Sequence, residues 1–85
     1  MRKIKFGAFA YKDFQEFKIK NRKLYYKIVL LLKSIKENPF IGIGKPEPLK
    51  HEFQGLWSRR INLEHRLIYR ITESEIIIIS CKYHY

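Results

Sequence analysis

Cysteine occurs once in these 85 residues, so no disulfide can close within the chain and no cluster of thiolates can hold a metal. Carboxylates are scarce too. Eight Asp and Glu stand against eighteen Lys and Arg, leaving a formal net charge of +10. No run of eighteen uncharged apolar residues exists, and Met1-Arg2-Lys3-Ile4-Lys5-Phe6 has no apolar signal core, so neither export nor membrane insertion is expected. A reducing cytoplasm fits the lone thiol. Glycine and proline are few, and all three prolines with three of the four glycines fall within residues 38–55, which confines irregular chain to one stretch.

What is present is enough to fold. Hydrophobic residues make up 46% and aromatics 15%, which separates this chain from charged disordered segments and predicts a single domain over residues 1–85. The basic surplus on so small a surface attracts polyanions in a salt-dependent way, nucleic acid first among them. An acidic protein partner would answer the same charge.

Residues 2–6 alternate basic and apolar, with Ile4 and Phe6 on one face of a short strand. Tyr11, Phe14 and Phe17 then recur every third residue, predicting a helix near residues 8–19. Asn21 is a candidate N-cap for a second helix, in which Leu24, Ile28, Leu31 and Ile35 follow 4-3-4 spacing. That helix should stop near Asn38, because Pro39 disfavours helix in the residue before it. After the 38–55 loop, three strands are expected at Trp57–Ile61, Arg66–Ile71 and Glu75–Lys82, forming an antiparallel meander. The run Ile76-Ile77-Ile78-Ile79 points to a central strand covered on both faces or at an interface. The fold class is α+β: an N-terminal strand and a two-helix hairpin packed on a small antiparallel sheet.

Paired glycosidase-like carboxylates, Cys/His nucleophiles and a phosphate-binding glycine loop are all missing, and Gly42-Ile43-Gly44 is too short for one. His51, His65 and His84 lie too far apart to suggest a metal site, so neither metal nor cofactor is expected. An acid and base set remains. Cleaving RNA through its own 2′-hydroxyl needs a base, cations for the phosphorane and an acid for the leaving 5′-oxygen. Glu47, the Arg and Lys side chains and His84 have the right chemistry, although a glutamate between two prolines also suits a plain exposed loop. Trp57 and Tyr83 read as packing residues, and His51 and His65 as structural or rim residues.

Lys45-Pro46-Glu47-Pro48-Leu49-Lys50-His51, Gly55-Leu56-Trp57-Ser58-Arg59-Arg60-Ile61, Glu64-His65-Arg66-Leu67-Ile68-Tyr69 and the ending Cys81-Lys82-Tyr83-His84-Tyr85 together resemble the YoeB (Txe/YoeB) toxins of the RelE/ParE superfamily. The resemblance implies a toxin of a type II toxin-antitoxin system, a metal-independent endoribonuclease that cuts mRNA on the ribosome. It assigns Glu47 as general base, Arg66 as stabiliser of the phosphorane, His84 as general acid and Tyr85 as an aromatic beside the scissile nucleotide. Lys45, Lys50, Arg59 and Arg60 match RNA-binding positions, although Arg59 alternates away from Arg60 on a strand. An acidic YefM-like antitoxin and a homodimer are implied as well, alongside the ribosome and its message. The first predicted helix departs from the family in its exposed charge. Two rivals stay open: a ParE-like toxin acting on DNA gyrase, and a non-catalytic basic RNA-binding module.

Overall fold

The computed structural model describes residues 2–83. Strand β1 (Lys3–Phe6) leads into helices α1 (Ala8–Lys20) and α2 (Arg22–Glu37), followed by a two-residue strand β2 (Glu47–Pro48) and a 3-10 turn at His51–Phe53. Strands β3 (Leu56–Arg60), β4 (Arg66–Ile71) and β5 (Glu75–Ser80) complete the chain. Among the described residues no helix is long and apolar enough to cross a membrane.

The periodicity of α2 becomes its buried stripe, since Leu24, Ile28, Leu31 and Ile35 all face the core. Burying each such side chain stabilises by about 1.5–3 kcal/mol. Asn21 caps the helix as expected, its Oδ1 accepting the Leu24 N–H at 3.2 Å. The helix ends where Asn38, with φ −156°, turns extended ahead of Pro39. Phe14 of α1 joins three elements, stacking on Phe6 of β1 at 5.0 Å and on Tyr25 of α2 at 4.9 Å. Tyr11 stays half exposed despite its place in the apolar repeat.

The sheet runs β1-β5-β4-β3-β2. The meander β3-β4-β5 is antiparallel as expected, but β1 pairs with β5 in parallel, so the sheet is mixed. Short turns dictate antiparallel neighbours; a strand that returns through two helices is free to add in either direction. Strand β5 lies between β1 and β4 with Ile76 and Ile78 fully buried, yet Ile77 and Ile79 are only partly covered. The expected cover on both faces is therefore present on the helix side alone. A register shift at Ile68/Tyr69 leaves Tyr69 opposite Ile78 and Ile68 opposite Ser80, the mark of a β-bulge. Cys81 sits beneath α1, its Sγ 3.5 Å from the Ala10 carbonyl, and burial pushes its pKa up to about 12.

Candidate active site

Alternation along each strand divides the sheet into two faces. Trp57, Arg59, Leu67, Tyr69, Ile76 and Ile78 turn toward the helices, and the cross-strand pairs Trp57–Tyr69, Arg59–Leu67 and Tyr69–Ile78 confirm the parity. Glu47, Ser58, Arg60, Arg66, Ile68 and Arg70 share the other face, through the pairs Glu47–Ser58, Ser58–Ile68, Arg60–Arg66 and Leu56–Arg70. Leu56, Ser58 and Ile68 are buried on that second face, whereas Glu47, Arg60 and Arg70 are exposed. The second face thus has a small covered floor and a charged rim. Glu47 and Arg66 stand two strands and two residues apart, roughly 12 Å between backbones by ordinary sheet spacing.

The segment carrying Glu47 is fastened at both ends. Leu49 donates its N–H to the Leu56 carbonyl at 2.8 Å, and Arg60 donates to the Gly44 carbonyl at 2.6 Å. Pro46 and Pro48 lack N–H donors and lie on the sheet's edge strand or beside it, where no further ladder bond is needed. Lys45 and Lys50 flank Glu47 and are both exposed. Among the described residues the non-glycine residues with positive φ are Lys45 at 50°, His51 at 58° and Tyr83 at 61°, and all of them border this site. Such conformations cost about 1–3 kcal/mol each and collect where surrounding structure holds them for a purpose.

Arg66 projects from the start of β4 with its Nη1 donating to the Asn62 carbonyl at 2.8 Å and the His65 carbonyl at 3.3 Å. Among the described residues Nε and Nη2 have no acceptor. The backbone N–H of Arg66 donates to the Tyr83 carbonyl at 2.8 Å. His84 and Tyr85 lie outside the described residues, and the chain reaches them directly from this tie.

Arg59 is corrected: it is no RNA-binding residue. It is wholly buried, and its five N–H groups are all taken by the protein. Nε donates to Tyr69 Oη at 3.0 Å, Nη1 to Ser34 Oγ at 2.7 Å and the Ile43 carbonyl at 3.1 Å, and Nη2 to the carbonyls of Asn38 and Ile41 at 2.8 and 3.0 Å. Tyr69 in turn donates to the Pro39 carbonyl at 2.8 Å, its own hydroxyl pKa raised by burial against the opposing pull of Arg59. One guanidinium thereby folds the first part of the long loop. Gly42, at φ 131°, is needed here because a Cβ would strike Ser34 Oγ and come 2.9 Å from Arg59 Nη1.

Tyr83 is also corrected, since the residue is 57% exposed and not in the core. Trp57 packs as expected, edge-on to Phe40 at 5.3 Å. Arg70 escaped the sequence reading, although its parity with Arg66 along β4 was a usable signal. Among the described residues no three His, Cys, Asp or Glu side chains are grouped to hold a metal ion.

The family model of the YoeB-like toxin of bacterial type II toxin-antitoxin systems matches residues 6–85. The chain belongs to the YoeB family. It is 51% identical to the toxin YoeB of Synechocystis sp. over 98% of this chain and 96% of that protein. It also resembles two solved structures from Staphylococcus aureus. The YoeB dimer superposes with a TM-score of 0.92 at 48% identity, covering 99% of this chain and 98% of the other. In a YoeB–YefM complex the matching chain gives 0.90 at 49% identity, covering 100% and 99%.

Proposed function

We propose that this YoeB-family toxin is a ribosome-dependent mRNA endoribonuclease that cleaves through the 2′-hydroxyl of its substrate. The observation that carries the reading is the placing of Glu47, Arg60 and Arg66 on one face, with the last described residue tied to Arg66. In this scheme Glu47 takes the 2′-hydroxyl proton, Arg66 neutralises the phosphorane and His84 protonates the leaving 5′-oxygen. Tyr85 stacks beside the scissile nucleotide, and Lys45, Lys50 and Arg60 hold flanking phosphates.

The dimer and the YefM complex of the Staphylococcus aureus relative support a homodimer and an acidic YefM-like antitoxin as partners of this chain too. A net charge of +10 favours an anionic partner of either kind, message or antitoxin.

The test mixes purified protein with ribosomes carrying a defined message and maps the new RNA ends. A cut within the decoding codon that leaves a 2′,3′-cyclic phosphate is expected. An uncut message together with blocked DNA gyrase supercoiling would place the chain with gyrase inhibitors instead, and binding without a cut would make it an RNA-binding module.

A further inference from the structure

One buried polar side chain near the site has no part in that scheme. His65 is 7% exposed at its side chain, with Phe17 of α1 meeting its ring at 5.4 Å and Tyr83 at 5.5 Å. Its Nδ1 accepts the backbone N–H of Tyr83 at 2.8 Å. The next residue along, Arg66, donates its backbone N–H to the Tyr83 carbonyl, also at 2.8 Å. Both backbone groups of Tyr83 are therefore held by two consecutive residues at the head of β4.

That double tie falls on a residue with φ 61°, a left-handed turn that an aromatic side chain does not favour. Something must hold it there, and the imidazole is placed to do so. An imidazole whose Nδ1 accepts carries its proton on Nε2, and Nε2 stands 3.5 Å from Oε1 of Glu64. The carboxylate thus favours the tautomer that the clamp requires.

We propose that His65 is a positioning residue for the general acid: its Nδ1 fixes Tyr83 in the turn from which the chain continues to His84. The proposal rests on the ribonuclease reading and on His84 as proton donor. Loss of the acceptor frees the direction in which the chain leaves Tyr83, and misplacing a catalytic group by an ångström costs on the order of 10²-fold.

Three substitutions separate the acceptor from the ring. Asn places an amide oxygen where Nδ1 stands, Gln moves that oxygen one bond further out, and Leu keeps apolar volume with no acceptor. Each variant is assayed by single-turnover cleavage on a natural message and on one with sulfur replacing the bridging 5′-oxygen. The sulfur leaves as a thiolate of conjugate pKa about 8.5 and needs little protonation. His65→Leu and His65→Gln should lose roughly 10²-fold on the natural message and little on the sulfur-bridged one, while His65→Asn stays close to wild type on both. In labelled wild-type protein, a scalar coupling across the bond from the Tyr83 N–H to Nδ1 should be visible by NMR, and the Tyr83 amide should exchange faster in the Leu and Gln variants only.

Equal losses on both messages, or a His65→Asn variant as slow as His65→Leu, would overturn the proposal by making the residue a packing element. Should His65→Leu not fold, the Asn and Gln variants alone carry the comparison. Wild-type protein that cleaves neither message removes the ribonuclease reading, and the proposal with it; wild-type cleavage that no His65 variant changes removes the proposal alone.

Discussion

Arg59 and Arg60 are neighbours in sequence, identical in chemistry and opposite in circumstance. One is sealed under the helices with every donor engaged by the protein, and the other stands exposed on the rim with Glu47 and Arg66. Strand parity alone separates them. A guanidinium on the helix side is a fastener that folds the loop, while one on the far side is available to an anion. Charge counted along a sequence therefore overstates a binding surface by whatever portion the fold turns inward.

The largest expected effect breaks the far face without touching the near one. Glu47→Gln should lower single-turnover cleavage by about 10² to 10⁴-fold, the range for a general base, with ribosome binding and melting temperature unchanged. Arg66→Ala should likewise slow the chemical step more than it weakens binding. Full cleavage by the Gln variant would remove Glu47 from the scheme.

The converse substitution, Arg59→Met, should leave Tyr69, Ser34 and three loop carbonyls without their donor and destabilise by about 3–5 kcal/mol. At roughly 4–8 °C per kcal/mol for a domain of this size, thermal melting should fall by well over 10 °C. Salt dependence of RNA affinity at low temperature should keep its slope. A stable Arg59→Met protein with a flattened slope would reverse the assignment of the two arginines.

On the rim the expected changes are smaller. Lys50→Ala and Arg60→Ala should each weaken binding several-fold and reduce the slope of log affinity against log salt by about 0.7. Titration of binding against salt checks this, and an unchanged slope would make both residues solvated charges.

The smallest effect belongs to the helix side again. The Cys81 pKa is raised by burial from an ordinary 9.0 to about 12, so the native state keeps its proton where the unfolded chain has lost one. This stabilising contribution is complete below pH 9 and is lost as pH rises from there toward 12. Near pH 10 the loss should be about 1 kcal/mol. Denaturant unfolding at pH 8 and 10 should show it, and Cys81→Ala should remove that part of the pH dependence.

Legibility followed the range of the forces involved. Helix α2 could be read because its apolar spacing, its Asn21 cap and the Pro39 stop are local signals that agree. The three-strand meander was legible for the same reason. The parallel docking of β1 was not, because no residue near Lys3–Phe6 encodes which edge of a distant sheet it will meet. Glu47 and Arg66 emerged from motif resemblance, while their shared face required the register. The parity of Trp57, Arg59 and Ile61, two of them strongly apolar, already hinted that Arg59 turns inward. Nothing in the sequence announced the left-handed turn at Tyr83 or its tie to His65, since both depend on contacts across the fold.

The pairing of β1 with β5 also sets an order of assembly. Lys3–Phe6 is made well before Glu75–Ser80, its one strand neighbour among the described residues. Until that neighbour arrives, the first strand has no ladder and Ile76 and Ile78 are missing from beneath the helices. Local helical pairing forms early, and closure of the sheet waits for β5. Strand β1 thus waits for a partner made after both helices and the rest of the sheet.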